Sequence, residues 1–541
     1  MFPIVSKFIR LAVVAALGAA IAPLGVSAAE TPASPAEAHN KFDILEFRVL
    51  GNHVLPPIDI ERAVYPFLGP GRDIDTVKKA SEALEKVYKD AGYGTIFVDI
   101  PEQQIDDGIV RLKVTEGRLD RIHIRGERYF SGRQIRAALP ELVSGQTPHL
   151  PTLQQELADL NSRTPDRIVT PILKAGAQPG AVDIDLAVKD TLPFHGSVEA
   201  DNRHTADTTP NRATIGLSYD NLWQRQDSLS LQYQTAPADT RNASVESATY
   251  LARLGAAGGV ASFSVINTSS NVLALGTLGV LGKGTIYGAH WLQPLDNTEK
   301  SSRSFTLGVD YKDVQTRVFT DNADNSPGTS SVSAPVKYLN WSGSYSQAWR
   351  LPSNSFAATF GVGFGVRDLV NRPAEFENAR YNASPDYLYL RLSGEANQSL
   401  PADFAAVARL TSQWSDSPLV NNEQFSLGGV DTVRGYLEAE TLGDIGVAGT
   451  LELHGPRLGP RLGTMLSQLY PFGFVDAGIA SLLYPLPGQN YSLHLWSTGV
   501  GLRLENAFGL AGALDYAVPM ADGTRTGKRE PRVDFTIKYG F

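Results

Sequence analysis

From about residue 193 onward, apolar and polar residues alternate one for one in segment after segment, and this pattern constrains the fold most. Phe305, Leu307, Val309 and Tyr311 alternate with Thr306, Gly308 and Asp310. Phe356, Ala358, Phe360, Val362 and Phe364 repeat the pattern, as do Phe404, Ala406, Ala408, Leu410 and, after Ser412, Trp414. A period of two is that of a strand with unlike faces. About sixteen such segments fit into residues 193–541, at roughly 22 residues per strand and loop, which suits strands of about ten residues that cross a bilayer. Trp223, Trp291, Trp341, Trp349, Trp414 and Trp496 sit near segment ends, as an aromatic girdle requires. A β-sandwich also alternates but normally stops at about seven to nine strands. A closed barrel leaves no backbone group unpaired in lipid. The expected fold of this half is an antiparallel transmembrane β-barrel of sixteen strands.

The chain opens with MFPIVSKFIRLAVVAALGAAIAPLGVSAAE, which reads as a Sec-type signal peptide over residues 1–29. Lys7 and Arg10 form its basic region. Residues 11–25 are apolar but shorter than a helical span of about 20, and Val26-Ser27-Ala28 or Ser27-Ala28-Ala29 offers the cleavage site. Removal of Lys7 and Arg10 takes the formal net charge from −9 to −11. An acidic chain without a basic tail argues against nucleic acid as a partner. There is no cysteine, so an exported chain of this size depends on core burial or a closed sheet; zinc-thiolate sites and cysteine nucleophiles are excluded too. No further apolar run approaches 18 residues, which argues against membrane-spanning helices.

Residues 42–190 carry a repeat instead. FRVLGNHVL (47–55) aligns with IHIRGERYF (122–130), placing Gly51 over Gly126 and Ile60 over Ile135. In the first copy Val77, Ala80, Leu84, Val87 and Tyr88 recur at helical steps, and Gly92 follows as a C-cap. In the second, Leu153, Leu157 and Leu160 share a helix face, with Thr152 and Gln155 as a capping box. Alternating strands at 108–117 and 181–190 end the copies. The order strand, helix, helix, strand, strand occurs twice, giving two small α+β modules at 42–117 and 118–190. Residues 30–41 form a short segment before them, and the barrel occupies 193–541.

Two short stretches stand out within the barrel half. GGVDTVRGYLEAE (428–440) puts Arg434 among glycines between strand-like segments, and an arginine facing lipid is costly. In YPFGFVDAGIASL (470–482), Phe472, Phe474, Asp476 and Gly478 share one face, and Val475, Ala477 and Ile479 the other. The second set suits lipid, so Asp476 points into the lumen. A guanidinium forks two hydrogen bonds onto a carboxylate, and Gly428, Gly429 and Gly435 let the loop approach the wall. On the residues alone two readings stand. Arg434 pairs with Asp476, or Arg434 is a solvated loop residue and Asp476 a separate pore-lining acid.

Val433-Arg434-Gly435-Tyr436 resembles the loop motif of outer-membrane proteins that join POTRA domains to a β-barrel, and Phe474-x-Asp476-x-Gly478 resembles their strand motif. Two POTRA-like modules before sixteen strands resemble the transporter of two-partner secretion, the hemolysin secretion/activation type, over roughly residues 42–541. The resemblance implies that loop 416–443, the sixth extracellular one, folds into the lumen and pairs Arg434 with Asp476. It implies location in the outer membrane of a Gram-negative cell, with the modules in the periplasm. It also implies a secreted exoprotein (TpsA-like) as substrate, outer-membrane lipid as surroundings and the barrel-assembly machinery as a partner in biogenesis. Phe535, Ile537, Tyr539 and Phe541 share one face of the last segment and resemble a barrel-insertion signal. The family often carries an N-terminal plug helix. Residues 30–41 span under about 20 Å even as a helix, so no plug is expected.

The resemblance implies that an unfolded exoprotein is recognised in the periplasm and passed through the pore. An extended segment is expected to add to exposed sheet edges at 45–50, 96–100, 109–115 or 182–188. Other functions are disfavoured by what the sequence lacks. There is no Walker A motif, since Gly284 follows Lys283 where Ser or Thr is needed, so no nucleotide is expected. There is no G-x-S-x-G elbow or H-E-x-x-H, so neither an enzyme nor a catalytic residue is expected. His290 and His454 read as pore or loop residues, and residues 321–325 lack the spacing of a calcium loop, so neither metal nor cofactor is expected. A barrel-assembly factor, a passive pore and, remotely, an outer-membrane hydrolase are the alternatives.

Overall fold

The computed structural model describes residues 41–541 apart from 106, 207, 241–242, 256–257, 270–282, 296–297, 299, 320–330 and 460–465. The expected signal peptide, residues 30–40, on which the expectation of no plug rests, and residues 321–325 lie outside the described residues. The chain divides into two compact units at Leu192 and Pro193.

The first unit holds two modules of the expected order. In the first, Glu46–Leu50 runs parallel to Ile109–Glu116, which pairs antiparallel with Ile96–Asp99. Helices Pro57–Val64 and Ile74–Asp90 cover one face and bury Ile60, Leu84 and Tyr88 against Leu112. The second repeats this with Arg118–Arg125, Ala181–Asp190 and Arg167–Ala175, under helices Gly132–Ala137 and Leu150–Ser162. The first copy adds a small pair, Phe42–Ile44 with Gly69–Arg72. Asp73 caps the long helix by accepting the Thr76 N–H at 2.9 Å, and Gly92 follows its end at φ +91°.

Gly51 and Gly126 do the same job in the two copies. A Cβ on either would lie 2.4 Å from a carbonyl oxygen, of Val114 and Val188 respectively. The copies share a second device. Glu116, at the end of its strand, accepts the N–H groups of His53 and Val54. Asp190, at the matching place, accepts those of Arg128, Tyr129 and Phe130 at 2.9, 2.8 and 3.1 Å. A carboxylate at the strand end thus fastens the loop after the first strand, in each copy.

Two expectations need correction here. The helix Leu150–Ser162 begins before Thr152, and His149 is its N-cap, so Thr152 and Gln155 form no capping box; Thr152 Oγ1 instead meets His149 Nδ1 at 2.7 Å. The strands Ile109–Glu116 and Ala181–Asp190 are the central strands of their sheets, so 109–115 and 182–188 offer no edge. The alternation that marks a strand does not reveal which of its flanks is paired. The free edges belong to Glu46–Leu50, Ile96–Asp99, Arg118–Arg125 and Arg167–Ala175.

In the second unit, among the described residues, sixteen antiparallel strands close into a barrel. The first, Phe194–Asp201, pairs with the last, Arg532–Gly540, from Asp201–Thr536 to Ser197–Gly540. Alternation sorts side chains as expected: Leu451, Val475 and Val500 face outward, while Asp476 and Phe474 are buried within. Stability in lipid rests on this closure, which leaves no free edge, and on the outward apolar rows. The seventh and eighth strands, Ser301–Phe319 and Ser331–Arg350, are the longest at 19 and 20 residues. The eighth pairs with the ninth, Asn354–Gly365, only from Asn340 onward. Trp341 is therefore halfway along its strand yet at the level where the neighbouring wall begins, which corrects its assignment to a strand end.

Candidate functional site

The eleventh strand, Ala405–Ser415, and the twelfth, Ile445–His454, are joined by residues 416–444. This loop contains its own hairpin, Phe425–Leu427 paired with Thr441–Gly443. The wall beside it is made of small residues. A Cβ on Gly446 would lie 2.1 Å from the Phe425 ring, and one on Gly478 would lie 2.5 Å from Leu427. Gly478 thus makes room for the hairpin. At the tip, Gly428, Gly429 and Gly435 have φ of +105°, +97° and +89°, a region that side chains with a Cβ seldom adopt. Gly429 also faces the Glu438 carboxylate, 2.2 Å from where its Cβ would be. Val433 and Tyr436 are buried with Phe425, Leu427 and Leu495. The Tyr436 hydroxyl donates to the Ala521 carbonyl at 2.8 Å.

The hairpin places Arg434 on the inner wall. Its Nε donates to Asp476 Oδ2 at 2.7 Å and its Nη2 to Oδ1 at 2.8 Å. Its backbone N–H adds a third bond to Oδ2 at 3.1 Å. The remaining nitrogen, Nη1, donates to Glu452 Oε1 at 2.8 Å. Glu452 also accepts from Arg409 Nη1 at 3.1 Å and meets His454 Nε2 at 2.7 Å. The Arg434 guanidinium lies over the Phe474 ring, 3.5 Å from its centroid. Phe472 lies next to Phe474 at a tilt, with Arg503 over its face at 4.5 Å, and Arg503 forks onto Asp515 at 2.7 and 2.9 Å. Arg434 is 3% exposed and Asp476 fully buried.

Such an arrangement holds the loop tip against the inner wall. Three guanidiniums, of Arg434, Arg409 and Arg503, face three carboxylates, of Asp476, Glu452 and Asp515, so the cluster is close to neutral and each charge has a partner. Planar fork geometry and the aromatic face beneath favour arginine over lysine.

Arg434 and Asp476 are together, with Phe474, Gly478, Gly428, Gly429, Val433, Gly435 and Tyr436 around them. Ile537, Tyr539 and Phe541 lie elsewhere, exposed on the barrel's outer face with Phe535 on the same side of that strand. Phe541 pairs with Gly196 through backbone bonds of 2.9 and 3.0 Å, and its ring fills the space a Cβ there would need. Glu452, Arg409 and Phe472 were not foreseen as partners. The signal existed: Thr450, Glu452 and His454 alternate with Leu451 and Leu453, which marks Glu452 as lumenal.

A family model described as haemolysin secretion/activation protein ShlB/FhaC/HecB matches residues 180–504, and one described as POTRA domain, ShlB-type, matches residues 42–117. The heme/hemopexin transporter protein HuxB of Haemophilus influenzae is 21% identical over 506 residues, covering 89% of this chain and 84% of its own. The outer membrane transporter CdiB of Dickeya dadantii is 27% identical over 182 residues, 34% of this chain and 32% of its own. Among solved structures, CdiB from Escherichia coli has a TM-score of 0.61 at 18% identity, covering 94% of this chain and 93% of that one. BamA from Haemophilus ducreyi, lacking POTRA domains 1–3, has a TM-score of 0.57 at 15% identity, covering 92% and 100%.

Proposed function

We infer that this chain, which belongs to the haemolysin secretion/activation protein family of outer-membrane transporters, recognises an unfolded exoprotein through its periplasmic POTRA modules and passes it through the barrel to the cell surface. The observation that carries this reading is the glycine-rich loop tip inside a closed barrel, where Arg434 is bonded to Asp476. A buried, fully partnered charge holds a movable element in one place without fusing it to the wall. The loop then occupies the lumen at rest and is the piece that must shift for a polypeptide to pass.

Recognition is by strand addition. The available edges are Glu46–Leu50, Ile96–Asp99, Arg118–Arg125 and Arg167–Ala175. Exposed Phe97, Ile172 and Leu173 on two of them offer apolar contacts for alternate side chains of an added strand. Folding of the exoprotein outside the cell supplies direction, and the barrel-assembly machinery inserts the chain during biogenesis. Residues 41–192 titrated with the N-terminal domain of a large exported protein encoded beside this chain test the recognition step. Saturable binding supports the reading. No binding, together with defects in other barrel proteins when the chain is deleted, favours an assembly factor instead.

A further inference from the structure

Residues 366–387, between the ninth strand and the tenth (Leu388–Ser399), form a second loop built into the extracellular mouth. Its helix Pro373–Ala379 buries Phe376 among Val336 and Tyr338 of the eighth strand and the loop's own Tyr387, and Leu419 from the root of loop 416–444 joins the same cluster. The loop also completes the unpaired upper edge of the eighth strand. Asn371 Oδ1 accepts the Leu339 N–H at 2.8 Å and its Nδ2 donates to the Pro385 carbonyl at 2.9 Å. Glu375 accepts the Lys337 N–H at 2.9 Å.

Two ion pairs, each with a buried carboxylate, tie this loop, and the wall beneath it, to the root of loop 416–444. Arg380 follows the helix and forks onto Asp444, with Nη2 to Oδ2 at 2.6 Å. Arg380 also donates to the Leu419 carbonyl at 2.6 Å. Asp444 accepts the N–H groups of Leu419 at 2.9 Å and Leu483 at 2.7 Å, so three extracellular segments meet on one carboxylate. Glu423, at the other side of the root, is held by Lys312 Nζ and by the hydroxyls of Tyr338 at 2.7 Å and Tyr389 at 3.1 Å. Both carboxylates are buried, so removal of a partner leaves an uncompensated charge. None of these groups touches Arg434 or Asp476, which are held by the twelfth and thirteenth strands.

We propose that Arg380–Asp444, which clasps loop 366–387 to the root of loop 416–444, and Lys312–Glu423, which clasps that root to the seventh strand, form a second latch, separate from Arg434–Asp476, that shuts the extracellular mouth to ions and small solutes. The latch concerns closure of the pore and does not rest on polypeptide passage.

The test uses the full chain in planar bilayers and in cells exposed to vancomycin, with heat-dependent gel mobility reporting a folded barrel. Folded Arg380→Ala and Asp444→Asn variants should each raise conductance and vancomycin sensitivity severalfold. Arg380→Lys, which keeps the charge but not the fork, should fall between. Arg380→Ala combined with Arg434→Ala should exceed either alone. Wild-type conductance in both folded single variants overturns the proposal, as does a double variant no leakier than Arg434→Ala. Should Arg380→Ala not fold, Tyr338→Phe with Tyr389→Phe strips Glu423 of two donors and leaves the rings. A rise in conductance then supports the latch, and no change overturns it.

Discussion

Asp476 accepts three hydrogen bonds from a single residue, the Nε, Nη2 and backbone N–H of Arg434, at 2.7, 2.8 and 3.1 Å. One carboxylate thereby fixes both the side chain and the backbone of the loop tip. Removing either partner strands the other in a site with little water, at a cost of about 3–5 kcal/mol for a buried pair. The barrel wall does not depend on that pair, since its strands are joined by their own ladders.

Arg434→Ala and Asp476→Ala are therefore expected to insert as folded barrels, with normal heat-dependent mobility, and to secrete poorly. Arg434→Lys should not restore secretion fully, because an ammonium cannot reproduce the fork or the ring stacking. Secretion of the exoprotein into the medium, normalised to folded barrel, is the measurement.

Glu452→Gln should give a milder defect. Arg434 keeps its fork to Asp476 but loses the charged partner of Nη1, and Arg409 loses an acceptor as well. The expected loss is roughly 1–3 kcal/mol in tip docking, from hydrogen bonds to a charged acceptor. Protease accessibility of loop 416–444 should fall between wild type and Arg434→Ala.

Phe474→Leu keeps an apolar side chain beneath the guanidinium and removes the ring face 3.5 Å from it. A desolvated cation–π contact of this kind contributes up to about 2 kcal/mol. The variant should loosen the tip measurably while leaving the fork geometry available, and the same protease assay reads it.

The legible part of this fold was whatever repeats with a fixed period. Alternation at Phe305–Tyr311 and Val475–Ile479 announced a two-faced strand, and the strand total followed from segment spacing. The two modules showed because Gly51 and Gly126 occupy one steric niche twice. Pairing was harder to see. Nothing local in Ile109–Glu116 says that both its flanks are taken, because edge and central strands can share one pattern. The site was half legible for a similar reason. Arg434 and Asp476 sit in short unusual stretches, whereas Glu452 looks like any lumenal acid until the register sets Thr450 beside Asp476 and Glu452 beside Phe474. Arg380 and Asp444, 64 residues apart, carry no local signal of their union.

Asp190 gives a prediction for the first unit that is independent of the barrel. Burial alone pulls its carboxyl upward, but the backbone N–H groups of Arg128, Tyr129 and Phe130 outweigh it and hold the pKa below the usual value. A depressed carboxylate adds stability that is full above its unfolded pKa of about 3.9 and is lost as pH falls through the folded value. Unit stability measured by urea unfolding of residues 41–192 should fall below about pH 4 in the wild type. Asp190→Asn should remove about 1 kcal/mol at neutral pH and flatten that acid dependence.

The chain has no cysteine, so a single Val433→Cys substitution reports on the loop tip without background. Val433 is buried beside Arg434. A membrane-impermeant maleimide applied to intact cells should leave Val433→Cys unlabelled in the wild-type background and label it readily once Asp476→Ala is added. Rapid labelling of Val433→Cys with Asp476 intact would contradict a tip held in the lumen.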